Sequence, residues 1–330
     1  MASAPLPSPD VPVVAAPSRA RQIFFGEHGL RAGWRVLLFI LVVVLFEIAI
    51  TMVLKRIPAL HFLGKQAKTG ILSPTFEFVI ETSAILGLFL ATLVMARLEK
   101  RSFWSYGLPL KGAFGKLFWQ GAIWGLVFEA AEMFAMYALH GFSFGSLALS
   151  GFALVRYALA WALAFVLVGI FEEFLFRGYV QSTLASGIGF WPAAVVLSAL
   201  FGATHLSNPG EGWVGGLSVM VFALFACFTL TRTGSLWFAI GFHAAGDYAE
   251  TFIFSVPDSG IMSTGHLLNS TVHGPRWLTG GTIGPEGSAL EFAAFVLVFI
   301  VFAKFYPAGR TKSDRPAPFL STVAPSSPAL

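Results

Sequence analysis

Two adjacent carboxylates and a guanidinium, Glu172, Glu173 and Arg177, interrupt a stretch of chain that is otherwise apolar enough to lie in a bilayer. Two further interruptions follow, each inside its own apolar run: His205, four residues after Phe201, and Asp247, four residues after His243. An ionisable side chain at the centre of a membrane costs about 2.5–3.5 kcal/mol on insertion scales, so a set of them is read first as a functional site. Residues four apart share a helix face, which lets Glu173 pair with Arg177, acid first, and His243 with Asp247. Glu172 is rotated about 100° from Glu173. One acid is thereby neutralised within its own helix, and the other is free to face a cavity.

A carboxylate, two histidines and a second carboxylate carried by three helices support two chemistries. Glu172, His205, His243 and Asp247 can hold a divalent metal such as zinc with an open position, where bound water ionises near neutral pH and attacks a carbonyl. Alternatively, Glu172 acts as general base on water without metal, with His243 and Asp247 stabilising the oxyanion. Both routes hydrolyse a peptide bond, and the sequence leaves both open.

Taken singly, each feature has a plainer reading. A Glu–Arg pair at helical spacing is usually structural, and a lone histidine between helices is usually a hydrogen-bonding residue. It is their co-occurrence on three neighbouring apolar segments that points to function. Glu47, Glu77, Glu81, Glu129 and Glu132 lie in or at the ends of the first three apolar runs. Such acids also suit the proton relays of transporters, although a solvated interfacial position is the expectation for the Glu77/Glu81 and Glu129/Glu132 pairs. His28, His61, His140, His266 and His273 read as solvated loop residues, and Cys227 as a small packing residue.

The elements that must position these groups are membrane helices. The chain has 330 residues, 56% hydrophobic and 12% charged, with 35 phenylalanines and a mean hydropathy of +0.76, whereas soluble domains carry about 25% charged residues. Runs of about 20 apolar residues cross a bilayer as a helix. Such runs lie near 34–54, 75–97, 114–139, 153–184, 190–207, 213–231, 235–254 and 289–306. The expectation is an all-α polytopic membrane protein of about eight transmembrane helices: a helical domain over 33–306, between disordered Pro/Ser/Ala-rich tails at 1–32 and 307–330. At 1.5 Å per residue, Glu172 and His205 lie roughly 22–27 Å from the turn near Gly187, and His243 and Asp247 roughly 15–21 Å from the turn near Thr233. Convergence on one polar chamber is therefore feasible.

The net charge of +4 reflects Lys and Arg in loops and tails, which argues for topology signals and against nucleic-acid binding. Clusters before the first span, around the second loop (Arg97, Lys100, Arg101, Lys111, Lys116) and after the last span (Lys304, Arg310, Lys312, Arg315) fall on one side of an even-numbered bundle. They predict a plasma-membrane protein with both termini cytoplasmic. Lys55, Arg56, Lys65 and Lys68 in the first loop run against that pattern. The one cysteine excludes an intrachain disulfide.

The three motifs resemble those of the CPBP family, the CAAX prenyl endopeptidases and bacteriocin-processing or immunity proteins also called Abi. The resemblance rests on Glu172, Glu173 and Arg177 followed by Gly178 and Tyr179, on Phe201 with His205, and on His243 with Asp247 after Thr233, Gly234, Ser235 and Leu236. Arg101, Tyr106, Gly107 and Leu108 extend it upstream. It implies an eight-span CAAX-protease/Abi-like bundle with its core at about 153–254. It also implies endoproteolysis of a peptide or membrane-protein substrate reached from the bilayer or the cytoplasm. Glu172, His205, His243 and Asp247 would then lie at the catalytic chamber, supported by Glu173, Arg177 and Phe201. Eukaryotic-type members typically carry Asn where Asp247 stands; an ionised Asp cannot donate to an oxyanion, which favours a role as metal ligand or as the partner that orients His243. A non-proteolytic immunity or scaffold protein of the same fold and a proton-coupled transporter are the alternatives.

Overall fold

The computed structural model describes residues 19–26 and 29–308. His28, Arg310, Lys312, Arg315 and most of the two expected tails lie outside the described residues. Residues 19–30, which the composition assigned to an unordered tail, include a short helix, Arg19–Phe24, and a two-stranded antiparallel hairpin pairing 25–26 with 29–30. Arg31 Nε closes that hairpin region by donating to the Gln22 carbonyl at 2.9 Å.

Among the described residues, eight helices reach 11 residues or more: α1 (Ala32–Leu54), α2 (Pro74–Leu98), α3 (Lys116–Ala138), α4 (Gly151–Phe174), α5 (Phe190–His205), α6 (Trp213–Thr233), α7 (Trp237–Asp247) and α8 (Ala289–Phe305). Each falls on one of the apolar runs. Four segments are long and apolar enough to cross a membrane: α1, α2, α6, and α4 with its continuation to Ile188. Of the eight expected spans, four meet that measure among the described residues. The other helices fall short for identifiable reasons. Glu129 and Glu132 interrupt α3, while α5 and α8, of 16 and 17 residues, are shorter than the roughly 20 residues a full crossing takes.

Burial orders the bundle. On α1 only Phe39 is buried, and Leu37, Leu41, Leu45 and Val53 are exposed, a surface suited to acyl chains. On α7 every residue from Trp237 to Ala244 is buried, so this helix is the central post. It packs against α3 along a seam where both backbones come too close for a side chain: a Cβ on Gly121 would collide with the Phe238 carbonyl, one on Gly125 with the Phe242 carbonyl, and one on Gly241 with the Phe118 carbonyl. Small residues at helix contacts are how membrane bundles gain van der Waals packing where lipid is as apolar as the protein.

Two helices change winding just past their motifs. After α4 the chain runs as a π-helical turn over Leu175–Val180, with Gly178 in a non-helical conformation, and resumes as Gln181–Ile188; after α7 a second π-helical turn, Tyr248–Phe254, ends the helix at Ser255. Such bulges re-aim side chains and recur at functional sites. The loop from 255 to 288 is tied to the bundle at two places. Residues 262–263 pair with 71–72 in parallel, and residues 271–272 pair with 142–143 antiparallel.

At the opposite end, Arg35 lies 3.4 Å from Glu99 and donates to Ser186 Oγ at 2.7 Å, gathering the ends of α1, α2 and the continuation of α4. Tyr106 and Tyr179 both donate to Glu99. The Gly107 and Pro109 carbonyls accept from the Leu236 N–H and from Trp237 Nε1, which seats the start of α7. Gly121→Ala is expected to destabilise the bundle by about 1–3 kcal/mol through overpacking, while Gly33→Ala, in open space on α1, leaves the unfolding midpoint in detergent unchanged. Equal midpoints for the two variants would contradict the seam.

Candidate active site

Glu173 carries the weight of the site. Its carboxylate is fully buried, accepts from Arg177 Nη1 at 3.3 Å along its own helix, and accepts from His243 Nδ1 at 3.0 Å across to α7. Arg177 is buried too, with its guanidinium 4.4 Å over the Phe201 ring. Phe201 therefore covers the ion pair on one side and meets the His205 ring edge-on at 4.7 Å on the other. His243 packs edge-on against Phe222 at 4.8 Å. With Nδ1 committed to Glu173, His243 presents Nε2 to the interior, 3.6 Å from Glu172 and 3.4 Å from Asp247.

The rotation between neighbouring helical residues separates the two glutamates as the sequence implied. The Glu172 side chain is 23% exposed where that of Glu173 is 0%, and Glu172 faces a cavity of about 340 Å³ that His205, His243, Asp247 and Phe201 also line. His205 donates from Nδ1 to the Phe201 carbonyl, 2.9 Å away, which leaves Nε2 as its free acceptor. Glu173 and Arg177 do not line the cavity; they hold its wall.

The cavity contains more acid than the motifs announce. Glu77 and Glu81 from α2, Glu129 from α3, Glu250 from the π turn after α7, Asp258 and Glu286 from the 255–288 loop, and Glu291 from α8 all reach it. This corrects the expectation that the Glu77/Glu81 and Glu129/Glu132 pairs are solvated: Glu77, Glu129 and Glu132 are buried, and Glu132 accepts from Ser288 Oγ at 2.6 Å. Glu250 was legible as an acid three residues past Asp247 in an apolar run. Glu291 was masked by its resemblance to a helix start, since Ser288 caps α8 by accepting from the Glu291 N–H at 3.1 Å. Asp258 and Glu286 carry no local signal. In their loop, burial pushes the Asp258 carboxyl up to about 6 and the Glu286 carboxyl well above the usual carboxylate range.

A carboxylate on the far nitrogen of a histidine suits a metal-ligating and a proton-sharing imidazole equally, so convergence of donors is the test of a metal. Among the described residues, the set whose ligand atoms all lie within 4.8 Å of one another is Glu250, Asp258 and Glu286. Glu172, His205, His243 and Asp247 line the same cavity, with His243 Nε2 3.6 Å from Glu172 and 3.4 Å from Asp247.

Apolar spanning helices around a buried polar chamber define a multi-pass membrane protein. Residues 154–249 match the family model described as type II CAAX prenyl endopeptidase Rce1-like, a segment that carries all three motifs and α4 through α7. The match supports membership of the CPBP family and a CAAX-protease type of enzyme. No curated protein and no solved structure matches it significantly.

Replacing Arg177 by Met strands the Glu173 carboxylate in the interior, a loss of about 3–5 kcal/mol for breaking a buried pair. The double variant Glu173→Gln/Arg177→Met is expected to recover part of it. Thermal unfolding in detergent decides, and a single variant as stable as the double would refute the buried pairing.

Proposed function

We propose that the chain is an intramembrane endopeptidase in which Glu172 activates water for attack on a peptide carbonyl. The observation that carries this reading is the environment of His243, pinned at Nδ1 by Glu173 and facing Glu172 and Asp247 with Nε2 inside a cavity. Glu172 takes a proton from water as the oxygen bonds to the carbonyl carbon. The N–H at His243 Nε2, oriented by Asp247, hydrogen-bonds the oxyanion that forms and keeps its proton. The C–N bond then breaks, and Glu172 returns its proton to the departing amine. Asp247 is an acceptor that aims His243, in keeping with Asp where related chains carry Asn. His205 offers Nε2 as an acceptor that holds the water. In this reading the four residues act without zinc.

Substrates are peptides or membrane-protein segments in the lipid bilayer, and nucleic acid has no part. All eight helices cross in this reading, α4 and α7 with their π-turn continuations and α5 and α8 as short spans that thin the bilayer locally, with the plasma membrane as the setting. Arg35, Arg97, Lys116 and Lys304 mark one end of the bundle as cytoplasmic, with both termini there. The cavity lining runs out to Leu72, Asn208, Ser259 and Ile261 at the other end, so access is lateral from the bilayer or from the non-cytoplasmic face. That differs from cytoplasmic access. In intact cells, Thr271→Cys is expected to react with a membrane-impermeant maleimide, and Ser102→Cys only after permeabilisation; both positions are exposed and Cys227 is buried. The reverse pattern would invert the topology.

Glu172→Gln is expected to lower hydrolysis of peptides in proteoliposomes by about 10²–10⁴-fold, the scale of a general base, with the unfolding midpoint retained. Hydrolysis by the parent chain is expected to persist in 1,10-phenanthroline, and its abolition would move the reading to a zinc mechanism. Full activity in Glu172→Gln would remove Glu172 from the chemistry. The cavity's many acids favour a second reading as a proton-coupled transporter, and pH-driven flux without any hydrolysis in the same vesicles would select it.

A further inference from the structure

The 255–288 loop brings together three carboxylates that the proposed reaction does not use. Glu250 comes from the π turn that continues α7, Asp258 from the turn after it, and Glu286 from a 3₁₀ turn, Pro285–Gly287, just before α8. One oxygen from each lies within 4.8 Å of the others. Among the described residues, the ion pairs involve none of the three; their charge meets no lysine, arginine or histidine at contact distance.

Two unpartnered atoms point to what is needed there. Glu250 is 4% exposed, and its Oε1 is fully buried with no hydrogen-bond donor. Glu129, from α3 on another side of the cavity, is also 4% exposed and has a buried Oε1 without a donor. Buried oxygens of this kind are normally satisfied, and three carboxylates at this spacing repel strongly unless a positive charge sits among them.

The other two carboxylates are already oriented. Asp258 accepts at Oδ2 from Thr251 Oγ1 at 3.0 Å. Glu286 accepts from the Ser259 N–H at 2.7 Å and from Ser259 Oγ at 3.1 Å. Each keeps lone pairs for the interior, the arrangement of ligating carboxylates held by outer donors. Gly284, at φ 105°, sets a bare Cα against the cluster, where a Cβ would lie 2.9 Å from Glu250 Oε1.

We propose that Glu250, Asp258 and Glu286 bind a hard divalent cation of the calcium or magnesium type, at a site separate from Glu172 and His243. An all-oxygen, all-carboxylate donor set selects hard cations over zinc. Bound there, the cation clamps the 255–288 loop to the end of α7, one turn beyond Asp247, and fixes the outer wall of the chamber. The inference goes beyond the proposed peptidase activity and stands or falls apart from it.

The test uses the whole chain carrying Glu172→Gln, purified in detergent, so that it needs no substrate and no turnover. Calorimetric titration with Ca²⁺, Mg²⁺ and Mn²⁺ and unfolding midpoints with and without EGTA are the readouts. Saturable binding of at least one cation and a midpoint raised by it are expected. Glu250→Gln and Glu286→Gln are expected to weaken the affinity more than tenfold, and Thr251→Val, which removes only an outer donor, by about 10–100-fold. If Glu250→Gln fails to fold, Thr251→Val and the EGTA comparison decide. Absence of any cation-dependent heat or midpoint shift would overturn the site and leave the cluster neutralised by protons. Binding unchanged in Thr251→Val and Glu286→Gln, or abolished by His243→Ala and not by Glu286→Gln, would overturn it as well.

Discussion

The structure depends on a carboxylate that water cannot reach. Glu173 is held by Arg177 within one helix and by His243 from another, and each of the three is tolerable in the interior only because the other two are there. A buried ion whose partner is removed is far more damaging than a buried pair is helpful, so α4 and α7 can associate in one rotation and one depth. That constraint does two things at once. It fixes the bundle's centre, and it points the remaining imidazole nitrogen into the cavity. The neighbouring glutamate inherits its role from geometry, since a rotation of about 100° takes Glu172 from the sealed wall to the open side.

Such a centre shapes the surrounding helices. Of the helices that line the chamber, α2, α4 and α6 keep an apolar length that can cross a membrane, whereas α3, α5 and α8 do not. Glu129 and Glu132 on α3 and the brevity of α5 and α8 are the mark of this division. The close backbone contact between α3 and α7 compensates for polarity with packing: without side chains at Gly121, Gly125 and Gly241, dispersion contacts between backbones replace the hydrophobic drive that lipid cannot supply.

Much of this was legible in the residues. The eight helices, α4 and α7 taken with their π-turn continuations, start and stop within a few residues of the apolar runs, because in a membrane protein hydropathy and helix limits follow the same boundary. Glu172 and Glu173 divide their duties as a helical projection requires, and the three motifs converge because their depths match. What the sequence hid depends on tertiary closure. An acid near the end of an apolar run can be solvated or sealed, and Glu77, Glu129 and Glu132 are sealed in a bundle to which the 255–288 loop is tied at 71–72 and 142–143. The π turns at Leu175–Val180 and Tyr248–Phe254 have no counterpart in apolar periodicity, which continues through them. Asp258 and Glu286 looked like ordinary loop acids.

The chamber then poses an electrostatic problem whose solution links its two halves. In the proposed reaction, attack of water on a carbonyl places negative charge on an oxygen, and His243 is the donor that meets it. The same cavity is walled by Glu77, Glu81, Glu129, Glu250, Asp258, Glu286 and Glu291. In a low-dielectric interior, ionised acids at short range would oppose a developing oxyanion more strongly than they would in water. Hydrolysis at Glu172 therefore requires the outer acids to be neutralised, by protons shared among them or by a cation at the one place where three converge. Either way the acid-rich wall is part of the condition for the proposed catalysis: in that reading its charge state sets the field in which His243 stabilises the transition state.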